Sequence, residues 1–170
     1  SRVSGKIGVA LVTTGPGSTN AVTGIAGAWL DSIPVLVLAG QVKTSDLNTG
    51  NKLRQRGPQE IDLVSMVAKI SKFSMTCLEA KNCVADIAAG LRKAIHGRPG
   101  PVVFEIPLDI QSSVVDSVTV KLSRDKTAAH QIVSGKTRAA AEEIAQALMV
   151  ASRPLFVIGN GAKMARVHTQ

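Results

Sequence analysis

The stretch VTTGPGSTNAVTG, residues 12–24, decides how this chain folds. An aliphatic, β-branched run ends in Thr13 and Thr14, Gly-Pro-Gly follows, and a small-residue pattern of helical spacing begins after Ser18. A strand that turns so sharply into a helix is the joint of a parallel α/β layer. Gly15 and Gly17 carry no Cβ, so a planar ligand or a neighbouring backbone can lie against the main chain. Pro16 stiffens the turn and presents an apolar ring face. The helix beyond offers free N–H groups, at the strand end where α/β sheets place ligands. The same residues also make a plain strand-to-helix turn, and local chemistry leaves both readings open. The stretch is neither a P-loop nor a dinucleotide fingerprint: no Gly-Lys-Ser/Thr follows, and the third glycine is missing.

Working outward, residues 7–13 read as a continuous apolar strand of the kind buried on both faces. Ser18 or Thr19 is the expected N-cap of a helix reaching Asp31. Val22, Ile25, Ala26, Trp29 and Ile33 form its expected buried stripe. Gly24, Gly27 and Ala28 form a second, small-residue face, open to tight packing or to a subunit interface. Pro34 precedes a strand over 35–39, and a long polar loop runs to about residue 60. A short helix over 61–67, a strand over 72–76, an amphipathic helix over 80–95 and a strand over 102–106 complete the alternation. In the helix over 80–95 the expected stripe is Val84, Ile87, Ala88, Leu91 and Ile95, with Gly97 as its stop. The expected fold class is α/β, a doubly wound parallel sheet. Residues 111–134 lose periodicity and read as a linker. A helix over 135–150 and a strand over 155–158 then open a second α/β domain.

Composition narrows the function classes. The 170 residues are 45% hydrophobic but only 2% aromatic, so the core must be Val, Ile, Leu and Ala. The net charge is +8, yet Lys and Arg are scattered and Tyr is missing, which argues against a specific nucleic-acid surface. Cys77 and Cys83 lack the spacing of a zinc site or a nucleophile motif and fit a reducing compartment. His96, His130 and His168 have no carboxylate or serine at recognisable spacing. No apolar run is long enough to span a membrane. The chain starts at Ser1 and enters a strand at once, as an excerpt of a longer protein would.

Three separated segments, in order, carry a resemblance: GKIGVALVTTGPGSTNAVTGIAGAWLDSIPVLVLAGQV, PQEID and GRPGPVVFEIPLDIQ. Together they resemble the thiamine diphosphate-dependent acetolactate synthase family. The resemblance implies the thiamine diphosphate-binding fold, with residues 1–110 most of the pyrimidine-binding domain, 111–134 a linker and 135–170 the start of the central domain. It implies that Gly15, Pro16 and Gly17, with Asn20 close by, lie beside the aminopyrimidine ring of thiamine diphosphate. It implies that Gln59 is the active-site glutamine. In relatives that carry FAD, it implies flavin contacts at Arg98 and at Gly159, Asn160 and Gly161. Mg2+ and the diphosphate would be held by a C-terminal domain, and the activating glutamate would lie upstream of Ser1, so these residues include no metal ligand. A homodimer or tetramer, a cytoplasmic setting, a small 2-keto acid substrate and branched-chain amino acid biosynthesis are further implications. The chain by itself is then expected to be inactive. Two departures bear on the acceptor: Pro58 stands where the family has Phe, and the loop from Gln41 to Gln59 is longer. A carboligase using a keto-sugar nucleotide, a decarboxylase, or a non-catalytic dimerisation module are the alternatives.

Overall fold

A computed structural model describes residues 1–50, 52–115 and 135–164. The chain divides into two compact units, residues 1–128 and 129–170. In the first, β1 (Gly8–Val12), β2 (Val35–Gln41), β3 (Phe73–Thr76) and β4 (Val102–Pro107) form one sheet in the order β1-β2-β4-β3. Every pairing is parallel. Among the described residues, five α-helices accompany it: α1 (Pro16–Thr19), α2 (Val22–Leu30), α3 (Leu63–Val67), α4 (Ala80–Ile95) and α5 (Leu108–Gln111).

Alternation along β2 and β4 sends successive side chains to opposite faces, and each face has its own core. Val37, Ala39 and Val103 meet Ile25 of α2 and Leu63 and Val67 of α3. Leu36, Val102 and Phe104 meet Ala94 of α4, with Ile87 and Leu91 packed against them. Helices therefore cover both faces, which makes the sheet doubly wound α/β, as the alternation of the sequence implies. Parallel strands need such cover, because their apolar side chains project both ways.

Several local expectations give way to packing. The helix expected over 18–31 is two helices, and it starts earlier. Gly15 is the N-cap and Pro16 the first helical residue, where its fixed φ and missing N–H cost nothing. Ser18 therefore does not cap: its hydroxyl donates back to the Gly15 carbonyl oxygen at 2.8 Å. In α2 the buried residues are Ile25 and Ala28, while Trp29 is exposed. A Cβ placed on Gly24 or Gly27 would meet nothing within 4 Å, so tight packing among the described residues does not explain those two glycines. In α4 the expected stripe holds at Ile87, Ala88 and Leu91, with Gly90 and Ala94 also buried, but Ile95 is exposed. β1 is not buried on both faces, since Val9 and Leu11 are exposed. It pairs with β2 alone, so among the described residues one of its edges is unpaired.

In the second unit the described residues hold α6 (Gly135–Val150) and α7 (Asn160–Met164). The strand expected over 155–158 does not form, and Leu155, Phe156, Val157 and Ile158 are exposed. A strand needs a ladder partner for its N–H and C=O groups, and the described residues of this unit offer none. Most of the expected linker, residues 116–134, lies outside the described residues.

Two glycine substitutions should separate the crowded from the open helix faces. A Cβ on Gly90 would overlap Cζ of the fully buried Phe104 and stand 2.6 Å from its Cε2. Gly90→Ala should therefore destabilise by about 1–3 kcal/mol through overpacking. Gly24→Ala, in open space, should stabilise by up to about 1 kcal/mol through helix propensity. Urea denaturation midpoints check both, and equal shifts for the two variants would refute the packing assignment.

Candidate functional site

The C-terminal ends of β1, β2 and β4 open onto a cleft of about 680 Å3, lined among others by Thr13, Thr14, Gln41, Pro58, Ile106 and Gln111. A doubly wound sheet leaves its crevice there because the loops leaving neighbouring strands diverge. The volume is that of an ordinary small-molecule site.

Gly15 and Gln59, distant in sequence, meet beside this cleft. Gly15 has φ 60°, and a Cβ on it would overlap the Gln59 carbonyl oxygen and stand 2.9 Å from Gln59 Cβ. Glycine is therefore required twice over, by the left-handed φ and by the approach of a second backbone. Gln59 itself has φ 60°, a strained conformation for a residue with a side chain. Gly17 is hemmed in as well, since a Cβ there would overlap Thr13 Cγ2.

The other expected site residues are placed as follows. Pro16 opens α1, and Asn20 is its exposed C-cap. None of Gly15, Pro16, Gly17, Asn20 and Gln59 lines the cleft; Thr14 and Pro58, chain neighbours of Gly15 and Gln59, are part of its wall, as is Thr13. Arg98 sits at the opposite, N-terminal end of the strands, where its Nε donates to Ser32 Oγ at 2.6 Å. Gly159, Asn160 and Gly161 belong to the second unit, at the start of α7, and a Cβ on either glycine would stand in open space.

Two polar groups, Gln41 in the cleft wall and Glu105 bonded to it, were not singled out by the sequence reading. Gln41 is 5% exposed and Glu105 3% exposed. Gln41 Nε2 donates to Glu105 Oε1 at 2.9 Å and to the Ile61 carbonyl oxygen at 2.8 Å. Its Oε1 accepts from the Val42 N–H at 2.9 Å and from the Thr14 hydroxyl at 3.2 Å. Glu105 also accepts from the Leu63 N–H at 3.2 Å and the Thr76 hydroxyl at 2.8 Å. The signal was present: a lone carboxylate inside the apolar run VVFEIP seldom occurs in a buried strand without a dedicated set of donors. Glu60 clamps the loop before α3. Its carboxylate accepts from the backbone N–H groups of Asn48 (2.5 Å), Arg56 (2.7 Å) and Gly57 (3.2 Å). Burial pushes its pKa up, but those donors and the Arg56 charge outweigh it and hold the carboxyl below its usual range. Burial, with a hydrogen bond to Cys83, pushes the Cys77 thiol up to about 12, which makes it a poor nucleophile. Among the described residues no three His, Cys, Asp or Glu converge as a metal site. Nor is any helix there long and apolar enough to cross a membrane.

Burial raises the Glu105 pKa above the usual carboxylate value, and its hydrogen bonds only partly offset this. The folded state therefore holds the proton more tightly than the unfolded chain, so Glu105 costs stability as pH rises from the ordinary carboxylate range through its raised folded value. Glu105→Gln, which has no such charge, should lose less stability over that interval. Denaturation midpoints for both proteins from about pH 4 to about pH 8 check this; parallel profiles would contradict it.

Comparison with known proteins agrees with this architecture. Residues 1–66 match the family model "Thiamine pyrophosphate enzyme, N-terminal TPP binding domain", thiamine pyrophosphate being the same compound as thiamine diphosphate. The chain is 35% identical over 169 residues to acetolactate synthase of Arthrospira platensis, covering 99% of this chain and 28% of that protein. It is 35% identical over 176 residues to the acetolactate synthase isozyme 3 large subunit of Escherichia coli K12, again covering 99% and 28%. With the acetolactate synthase large subunit of Lactococcus lactis the identity is 36% over 159 residues, covering 93% and 26%. The chain thus spans roughly a quarter of the length of these relatives. From likeness over nearly all its residues, and from a doubly wound parallel sheet carrying the Gly-Pro-Gly turn, the chain is related to the acetolactate synthases and carries the start of a thiamine pyrophosphate enzyme N-terminal domain.

Proposed function

We propose that this chain supplies one wall of the cofactor site of a thiamine diphosphate-dependent carboligase acting on a small 2-keto acid, pyruvate being the first candidate. The observation that carries the reading is the apposition of Gly15 and Gln59 beside the cleft. Two segments that share nothing in sequence converge where an α/β sheet binds ligands. The fit to the cofactor is chemical: the cleft has the size for a heteroaromatic ring and its wall is largely apolar.

When bound, thiamine diphosphate supplies the carbanion chemistry by which a 2-keto acid loses CO2 and its two-carbon unit passes to a second carbonyl. The residues of this chain bind and orient. Gly15 and Gly17 let Gln59 and Thr13 pack against the turn, and Pro16 fixes its shape. Leu38, Ile106 and Leu108 line the cleft with apolar surface, which excludes water. Gln59, held in a left-handed conformation, is the residue assigned to the reacting side. Mg2+ and, in a flavin-retaining form, FAD are further groups of this reading, as are a cytoplasmic homodimer or tetramer and a place in branched-chain amino acid synthesis. Pro58 in the cleft wall points to an acceptor pocket different from that of a protein with Phe at this position.

In the full-length protein, Gly15→Ala should weaken thiamine diphosphate binding by at least about tenfold, because the new Cβ must displace Gln59. Calorimetric titration measures this, and unchanged affinity in a folded variant would overturn the assignment of the turn. The 170 residues alone, supplied with thiamine diphosphate and Mg2+, should release no CO2 from pyruvate. Measurable turnover by that chain would show that the site is complete without further segments.

A further inference from the structure

We propose that Gln41 is a positioning residue of the cofactor site, one that holds the Gly15 turn and the Gln59 turn against each other. Three features of its surroundings lead there.

The orientation of its carboxamide is fixed by the backbone. The Val42 N–H can only donate, so it must face Oε1; the Ile61 carbonyl can only accept, so it must face Nε2. That leaves no freedom to exchange the two ends. The remaining Nε2 hydrogen then points to Glu105 and the remaining Oε1 lone pair to Thr14.

The two loop contacts bracket the site. Thr14 immediately precedes Gly15, and Ile61 lies two residues beyond Gln59. Gln41 thus grips one chain just before, and the other just after, the point where Gly15 and Gln59 meet. The Thr14 hydroxyl adds a cross-link, lying 3.2 Å from Gln41 Oε1 and 3.4 Å from the Gln59 carbonyl oxygen.

The grip is anchored in the rigid part of the fold. Gln41 ends β2, and its partner Glu105 lies in β4, which pairs with both β2 and β3. Glu105 is itself held by the Leu63 N–H at the start of α3 and by Thr76 on β3. A buried amide with every donor and acceptor used specifies one arrangement of the segments it joins.

Glu105→Gln tests which features matter. Its retained oxygen still accepts from Gln41 and Leu63, and its new amide can donate to the Thr76 hydroxyl. It should therefore leave the grip intact. Gln41→Met keeps the length of the side chain and removes all four bonds.

The experiment is hydrogen exchange on the full-length protein, with thiamine diphosphate affinity measured alongside; the consequence for affinity rests on the proposed function. Ser71→Ala serves as the structural control, since it deletes a buried bond to the Val67 carbonyl oxygen ahead of β3, at the other end of the sheet. For Gln41→Met, exchange at residues 14–17 and 57–61 should rise about tenfold while β4 amides keep their protection, and cofactor affinity should fall about tenfold. Glu105→Gln should stay within about twofold of the parent on both measures. Ser71→Ala should lower the melting temperature without moving either local readout. A rise for Gln41→Met that is uniform over the sheet, or none at the two segments, overturns the proposal. If the local pattern appears but the parent protein binds no thiamine diphosphate, the positioning role stands and the cofactor reading fails.

Discussion

The pairing of β2 with β4 is the constraint on which the first unit depends. Its register runs from Leu36 opposite Val102 to Gln41 opposite Pro107. That register sets Ala39 opposite Glu105 and puts Gln41 two residues further on, so both polar side chains share the face that carries Val37 and Val103. A slip of one residue would turn the Glu105 carboxylate into the opposite core, against Leu36 and Ala94, where no donor set awaits it. The apolar faces and the buried polar pair thus select the same alignment.

That agreement explains how an apolar sheet ends in a polar site. Along β2 and β4 the side chains remain apolar until Gln41 and Glu105, near the C-terminal ends. No buried side-chain nitrogen or oxygen among the described residues lacks a partner. The strain at Gln59, and the glycine required at Gly15, lie just outside this satisfied layer. Strained backbone persists only where its surroundings over-determine it, and bonds from Gln41, Thr14 and Glu60 surround this one.

Much of the fold was legible in the chain because its signals are local. The runs that became β2 and β4, the amphipathic pattern of α4 and the glycine stop at Gly97 all follow from periodicity and punctuation. The misreadings have physical causes. Ser18 was expected to cap, but Pro16 is better suited to the first helical position and moves the start forward. Trp29 was expected inside, yet the sheet beneath α2 has room for Ile25 and Ala28 and leaves the indole at the surface. The run over 155–158 was apolar enough for a strand, but strand formation depends on a partner that a sequence pattern cannot supply.

By itself the sequence determined the α/β class, the position of the Gly-Pro-Gly turn at a strand end and, through three separated motifs, the relation to the acetolactate synthases. These are encoded by neighbours along the chain: periodicity, turn chemistry and short segments of fixed composition. Only the tertiary structure decided that Gly15 touches Gln59, that Arg98 lies at the far end of the strands, and that Gln41 and Glu105 form one buried network. Those facts depend on strand order and register, which bring residues together across tens of positions through backbone pairing rather than local propensity.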